Sequence, residues 1–456
     1  MRISEGMGRM FGAGLLAAAL LLPLPAAAPT PAFARDDTGA TLDLLRQFHS
    51  YAPARHASAK RRERKQEKLR AALDHARGLR FTEHELRFLQ KQERGGVRIF
   101  SDAFIAFLRD LALPPYELSV EGDQYRLAFE GKWVDVELWE TIALAIISEL
   151  YAASLMERMA PASRRLLYER AHDRLSRSLE QLRRYPNLRF SDFGTRRRHS
   201  FVWHNRAIVL AKQMLGEQFA GTSNVLLAMR HNLVPIGTNA HSLQMATMAP
   251  VFDELYRAGD FNAIIAQQYE LLLKWERLFP NALRIMLPDT YGSAQFFAGA
   301  SEHFARKWLG VRQDSGDPFA FGEMVLAWYA RHGVRDPKAA GKVLIFSDGL
   351  TAEKMVALWR AFSDRINVMF GWGTHFTNGF DGLHPDPDEL VPGLSGARWG
   401  AVKWAFSLVC KVVAAGGHPA VKLPDNLEKA TGPKNERERY LQVFGKYNRT
   451  QQNVIV

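Results

Sequence analysis

Val343-Leu-Ile-Phe-Ser-Asp-Gly-Leu-Thr-Ala352 sets the pattern of the middle of the chain. Four apolar residues make a buried strand, Ser347-Asp-Gly349 makes a polar loop, and Ala352–Phe362 reads as a helix. The same unit recurs through the middle of the chain. Leu188-Arg-Phe190 leads into Ser191–Arg198 and a helix from about Ser200, and Phe219-Ala-Gly-Thr-Ser-Asn224 leads into Val225–Arg230. Leu283-Arg-Ile-Met-Leu287 leads into Pro288-Asp-Thr-Tyr291, and Ile366-Asn-Val-Met-Phe370 into Gly371-Trp-Gly-Thr374. Repeated strand–loop–helix units imply an α/β fold with parallel strands. In an α/β barrel the chemistry sits on the loops that follow the strands, and each polar cluster just quoted falls on such a loop.

The chain around this core has 456 residues, 47% hydrophobic and 24% charged, the composition of an ordinary globular protein. That length suits one barrel plus a second domain. Its single cysteine, Cys410, allows no intrachain disulfide. The net charge of +12 raises nucleic-acid binding, but much of the excess lies in Lys60-Arg-Arg-Glu-Arg-Lys65 and the rest is scattered. With no aromatic-rich RNA-binding signature and no zinc-finger spacing, a basic pocket for phosphorylated substrates explains the arginines as well. The expectation is no nucleic acid and no membrane.

Arg2 and Arg9 precede an apolar run from Phe11 to Leu22, and Ala32-Phe-Ala34 follows, in the pattern of a secretory signal. The run is too short to span a bilayer comfortably. Residues 1–35 are read as a signal-like or disordered extension. Residues 36–187 are read as an N-terminal helical and α/β domain. It has a charged helical start, a helix over Ser101–Leu113, strands Tyr116–Val120 and Tyr125–Phe129 about a Glu121-Gly-Asp turn, and helices Trp139–Met159 and Ala162–Arg184. Residues 188–400 are the barrel. Residues 401–456 form a hairpin about Gly416-Gly417 and a charged helix from Glu436 to Tyr447, returning to the N-terminal domain.

The loops carry the chemistry. Arginine offers a planar fork for carboxylate or phosphate, so Arg196 is a candidate ligand. Three arginines in a row cannot all point inward, so at least one of Arg196, Arg197 and Arg198 is expected at the surface. Gly221-Thr-Ser-Asn224 and Gly371-Trp-Gly-Thr374 are donor-rich loops whose backbone N–H groups could nest an anion, or serve as plain turns. Arg312-Gln-Asp-Ser-Gly-Asp317 and Phe346-Ser-Asp-Gly349 set carboxylates beside glycine, for ribose hydroxyls, for magnesium, or for an Asx turn. No Gly-x-x-x-x-Gly-Lys-Ser/Thr motif occurs, so a P-loop is excluded. His241 sits in the polar loop Gly237-Thr-Asn-Ala-His241, and an imidazole can act as a nucleophile when its other nitrogen is held.

Taken in order, Phe193-Gly-x-Arg, Gly221-Thr-Ser-Asn, Gly237-Thr-x-Ala-His, Arg312-x-Asp-Ser-Gly-Asp, Phe346-Ser-Asp, Phe370-Gly-x-Gly-Thr and Val421-Lys-Leu-x-Asp-Asn426 form a series. The series resembles the nicotinate phosphoribosyltransferase family over about residues 66–445. The resemblance implies an irregular α/β barrel of the type II phosphoribosyltransferase kind with an N-terminal α/β domain. It implies transfer of phosphoribosyl from phosphoribosyl pyrophosphate to nicotinate, coupled to ATP, with magnesium (Mg), in NAD salvage. It implies that Phe193 stacks on the pyridine ring, that Arg196 and Arg312 meet the carboxylate or phosphates, and that Asp314 and Asp348 (with Gly349) hold ribose, magnesium or pyrophosphate. Gly373 and Thr374 would bind the 5′-phosphate, Thr222 and Ser223 the substrate, and His241 would be phosphorylated, with Asp314 and Asp289 as catalytic partners. Related nicotinamide enzymes carry aspartate where Ser223 stands, and aspartate would repel a carboxylate, so nicotinate is preferred.

The family's Asp-x-Tyr-Lys-x-x-Met element is not found, and no Tyr-Lys pair precedes residue 100. In family homodimers that tyrosine covers the neighbour's site. The expectation is a homodimer whose residues 1 to about 65 are not the ancestral segment. ATP and phosphoribosyl pyrophosphate are cytoplasmic metabolites, so a cytoplasmic location is expected. A catalytically impaired, nucleotide-binding paralogue and a nicotinamide enzyme are the competing readings.

Overall fold

The computed structural model describes residues 59–445 except 95, 122–123, 158, 280–281 and 384–408. The signal-like segment 1–35, the Gly122-Asp123 turn and the end of the expected barrel span lie outside the described residues.

The N-terminal part runs α1 (Ala59–Gly78), α2 (Glu83–Gln90), β1 (Glu93–Arg94), β2 (Val97–Arg98), α3 (Asp102–Asp110), β3 (Tyr116–Glu121), β4 (Gln124–Phe129), α4 (Trp133–Val136), α5 (Trp139–Met156) and α6 (Pro161–Arg183). Its helix starts follow local chemistry. Thr82 and Glu85 form a capping box on α2, and Ser101 caps α3, which satisfies N–H groups that a helix start leaves open. The stretch Trp133–Met156 is long and apolar enough to cross a membrane, but two-thirds of it is buried inside the fold. Trp139, Ile142, Leu144, Ile146 and Tyr151 are buried in the main core. A helix apolar all round is a core helix when its partners are protein.

Next come β5 (Arg189–Asp192), α7 (Phe201–Leu215), β6 (Phe219–Thr222), α8 (Val225–His231), α9 (His241–Arg257), α10 (Phe261–Leu278), β7 (Ile285–Met286), α11 (Ser293–Gly299) and α12 (Glu302–Lys307). They are followed by β8 (Gly310–Gln313), α13 (Pro318–Arg331), β9 (Val343–Phe346), α14 (Ala352–Phe362), β10 (Asn367–Trp372) and α15 (Thr374–Thr377). Six strands pair in the order β6-β5-β10-β9-β8-β7, and every pairing is parallel. The sheet edges β6 and β7 are extended by irregular chain. Ile236 N–H donates to Thr222 O beside β6, and Leu423 N–H donates to Thr290 O just past β7. Helices α7, α8, α13 and α14 begin on caps from Ser200, Asn224, Asp317 and Thr351, polar residues of the loops that follow β5, β6, β8 and β9. All strand C-termini therefore open on one side.

Strand β8 has no apolar run to announce it, because only Val311 among its four residues is hydrophobic. Its pairing depends on Gly310. A Cβ there would lie 1.9 Å from Val343 O, so only glycine admits the neighbouring backbone.

The tail forms β11 (Ala414–Ala415), β12 (His418–Pro419) and α16 (Lys434–Phe444). Gly416 and Gly417 both take positive φ (58° and 80°), the requirement of a tight two-residue hairpin turn. The hairpin packs on α9, and Lys411, just before it, meets Glu140 of the N-terminal part at 3.1 Å. Helix α16 packs on α10, and Tyr440 stacks on Phe252 at 3.7 Å between ring centroids.

Candidate active site

The strand ends surround a cavity of about 410 Å³. Loops after β5, β6, β8, β9 and β10 line one side of it. The end of α4 contributes Glu137, α5 contributes Glu140, and the tail contributes Lys411, Lys422 and Lys429. Of the residues singled out from sequence, Phe193, Arg196, Ser223, His241, Arg312, Asp314, Asp348, Gly349, Gly373 and Thr374 all line it.

Asp192 organises the loop after β5. Its carboxylate accepts from Gly194 N–H (2.8 Å), Thr222 Oγ (2.6 Å) and His204 Nε2 (2.6 Å). Burial alone would raise its pKa, but His204 and these bonds outweigh that and hold it low. Thr222 is fully buried and spends its hydroxyl on Asp192, so it braces β6 to β5 and does not line the cavity. Gly194 is required here, since a Cβ would sit 2.3 Å from Thr377 Oγ and 2.8 Å from Gly373 O.

Phe193 lies against Gly371, where a Cβ would strike the ring at 2.6 Å. Above the ring, at 5.7 Å from its centroid, is the Arg312 guanidinium. Arg312 is held by three bonds: Nε to Ser347 Oγ (2.9 Å), Nη1 to Thr238 Oγ (2.6 Å) and Nη2 to Asp314 Oδ1 (3.0 Å). Asp314 Oδ2 accepts from His241 Nε2 at 3.1 Å, so it ties the arginine to the histidine. Against its burial, Arg312 and then His241 hold the Asp314 carboxyl well below the usual carboxylate range.

His241 is the first residue of α9 and is 4% exposed. Because an ionised carboxylate only accepts, Nε2 carries the proton, and Nδ1 takes the Thr290 hydroxyl at 3.0 Å. Burial, then Lys422, pushes its pKa well below the ordinary value, so the imidazole is neutral near neutral pH. Asp289 stands apart from the cavity. It is fully buried behind His241, 3.9 Å from Nε2, does not line the cavity, and accepts from Ser315 Oγ at 2.6 Å. Burial raises it to about 7, partly offset by Lys422.

None of the three consecutive arginines is fully exposed, and the most open is Arg196, its side chain 33% exposed. Arg196 Nη1 pairs with Glu140 Oε1 at 2.8 Å, and Arg197 Nη1 donates to Thr374 Oγ at 3.4 Å. Arg198 turns away from the cavity but stays buried, with Nε on Glu149 at 2.6 Å and its guanidinium 5.1 Å over the Phe201 ring. A carboxylate from α5 and the aromatic face of the nearby Phe201 make that burial tolerable.

Sequence reasoning passed over three tail lysines and two helix carboxylates. Lys411 Nζ meets Glu140 Oε1 at 3.1 Å, and Lys429 bonds Asp348. Lys422 is 4% exposed, and burial lowers it to about 8 although Asp289 and Asp314 support its charge. The Val421-Lys-Leu motif was the available signal for Lys422, whereas Lys411 lies in a segment that reads simply as a strand. Among the described residues no group of three or more His, Cys, Asp or Glu could hold a metal. The cavity's aspartates face cations instead, which suits an anionic ligand better than a resident metal.

Family models and solved structures agree with one another. The nicotinate phosphoribosyltransferase (NAPRTase) family model matches residues 188–448, and the model of that family's N-terminal domain matches residues 47–148. The likeness thus begins earlier than the motifs suggested. The crystal structure of nicotinate phosphoribosyltransferase from Porphyromonas gingivalis is 26% identical, with a TM-score of 0.70, covering 90% of this chain and 98% of that one. The Vibrio cholerae nicotinate phosphoribosyltransferase structure is 25% identical, with a TM-score of 0.69 over 90% and 94% of the two chains. A Saccharomyces cerevisiae structure at 24% identity and TM-score 0.64, over 82% and 86%, shares the fold.

Proposed function

The chain belongs to the nicotinate phosphoribosyltransferase family, and from that premise we propose how its cavity works. The reaction joins nicotinate to the phosphoribosyl group of phosphoribosyl pyrophosphate, giving nicotinate mononucleotide and pyrophosphate in NAD salvage. The observation that carries the reading is the convergence of Phe193, Arg312, Asp314 and His241 in one cavity.

The pyridine lies on Phe193, and Arg312, fixed by three bonds, presents a positive edge to its carboxylate. Ser223 lines the cavity without adding negative charge, which suits the acid over the amide. As the bond to pyrophosphate breaks, ribose C1 becomes oxocarbenium-like and negative charge grows on the leaving group. The cations Lys422 and Lys429 stand ready to stabilise that charge without reorganising, while the ring nitrogen is held in line. Asp348, bonded to Lys429, would take a ribose hydroxyl, or the magnesium that accompanies polyphosphates, if that bond opened.

ATP enters through His241. Its Nδ1 lone pair attacks the γ-phosphorus, ADP leaves, and later hydrolysis of the phosphoimidazole returns orthophosphate. Asp314, drawing on the Nε2 proton, makes Nδ1 the better nucleophile. A homodimer in the cytoplasm, where these metabolites occur, completes the proposal. The test is formation of nicotinate mononucleotide from nicotinate and phosphoribosyl pyrophosphate, with and without ATP. No product from either nicotinate or nicotinamide would leave the impaired-paralogue reading instead. Acid-labile label from γ-labelled ATP is expected on wild type and lost in His241→Ala; label that survives this substitution would sink the ATP mechanism.

A further inference from the structure

Phe193 and Ser223 line the cavity from neighbouring loops, one after β5 and one after β6. Both hang on Asp192, which does not line it. The main-chain carbonyl of Asp192 accepts the Ser223 N–H at 2.8 Å. Its carboxylate accepts the Gly194 N–H at 2.8 Å, which fixes the backbone just past Phe193. The strand ladder does not set this spacing alone. The register of β5 on β6 shifts between Phe190 and Ser191, so the two strand ends meet through an irregular step. Side chains take over there, because Asp192 Oδ2 accepts from Thr222 Oγ and from His204 Nε2, both at 2.6 Å.

His204 comes from the first turn of α7, and nothing in the chemistry of the cavity uses it. It and Asp192 are both 0% exposed. Its Nδ1 is buried without a hydrogen-bond partner, so the ring gives up its hydration for the bond to Asp192. A buried pair of this kind adds little net stability, and its best-attested use is to fix geometry.

We propose that His204, acting through Asp192, is a positioning residue that sets the gap between Phe193 and Ser223 and so the seat of the pyridine ring. This rests on the phosphoribosyl-transfer reading and adds a positioning residue to it. The brace bears on the ring side of the cavity. Lys422 and Lys429, which stand ready for the pyrophosphate, are carried by the tail. Loosening the brace therefore acts on nicotinate first.

Steady-state formation of nicotinate mononucleotide tests this, with each substrate varied in turn. The proteins are wild type, His204→Phe, which keeps a ring and loses the bond, and His204→Gln, which keeps an N–H donor. In the phenylalanine variant the KM for nicotinate should rise about tenfold or more, while that for phosphoribosyl pyrophosphate stays within about twofold of wild type. The glutamine variant should recover most of the nicotinate KM. Equal rises for both substrates would overturn the assignment, as would unchanged kinetics in a folded phenylalanine variant, or a glutamine variant no better than phenylalanine. If the phenylalanine variant does not fold, Thr222→Val carries the same comparison, since it removes the other bond to the same oxygen and leaves the His204 pair in place. Wild type that forms no mononucleotide would sink the transfer reading, and this assignment with it, a result distinct from the others.

Discussion

Glu137 is a carboxyl that nothing in its own stretch of sequence marks out. It is 6% exposed and accepts from Ser242 Oγ (2.6 Å) and Trp133 Nε1 (2.5 Å), which ties α4 to the residue after His241. Burial, then Glu140, raises its pKa from 4.5 to about 7. Between those values the unfolded chain ionises while the folded protein keeps the proton. Stability from this group is therefore full below the unfolded value and is lost as pH rises through about 7. Glu137→Gln keeps the shape and stays neutral. Thermal melts should show it more stable than wild type at about pH 8, on the order of 1–3 kcal/mol, with the gap closing toward about pH 5. A gap that does not change with pH would refute the account. The same scale shows the limit of reading charge runs. Arg196, Arg197 and Arg198 look alike in sequence and have three different partners, because Glu140 and Glu149 stand about two and a half turns apart on α5 and Thr374 follows β10.

The strands and their loops are the scale at which most of the site was legible. Apolar runs marked β9 and β10, and the polar residues after them fall at the cavity because parallel strands all end on one side. Strand β8 was hidden, since glycine and arginine flank its single valine and its pairing rests on a missing Cβ. Gly371 in β10 sets the height of the Phe193 ring through the same kind of contact, a Cβ there meeting ring carbons at 2.6 and 2.8 Å. In Gly371→Ala the ring must move. The KM for nicotinate should rise about tenfold or more, with a smaller change for phosphoribosyl pyrophosphate, because reacting groups tolerate little misplacement. Equal effects on both substrates would mean that the strand, not the ring, has been disturbed.

At the scale of the molecule, Glu140 joins three regions: α5 of the N-terminal part, Arg196 of the loop after β5, and Lys411 of the tail. Its pKa is lowered because Lys411 and Arg196 overcome its burial. Glu140→Gln leaves both cations under-compensated and should destabilise the fold by on the order of 2–4 kcal/mol in urea melts. Adding Lys411→Met should recover part of the loss, and strict additivity would argue against the coupling. The tail is held by packing at its other end. Tyr440 is 1% exposed and stacks on Phe252, so Tyr440→Ala should cost about 3–5 kcal/mol. Lys422 and Lys429 lie on the segment between the hairpin and α16. Loosening α16 should therefore also weaken binding of inorganic pyrophosphate, and unchanged binding would show that the segment is held by its own contacts.

The strand–loop–helix rhythm, the order of the loops and the identity of most cavity residues are carried by the linear chain. Those features depend on local periodicity and on short motifs, which a linear reading contains. Assembly of the fold fixes which carboxylate each cation meets, that Thr222 and Asp289 stand behind the wall, and that the tail supplies lysines to a cavity whose other walls come from the loops after the parallel strands. Ion pairing and burial depend on distances between elements far apart in the chain, and those distances exist only once the sheet has assembled.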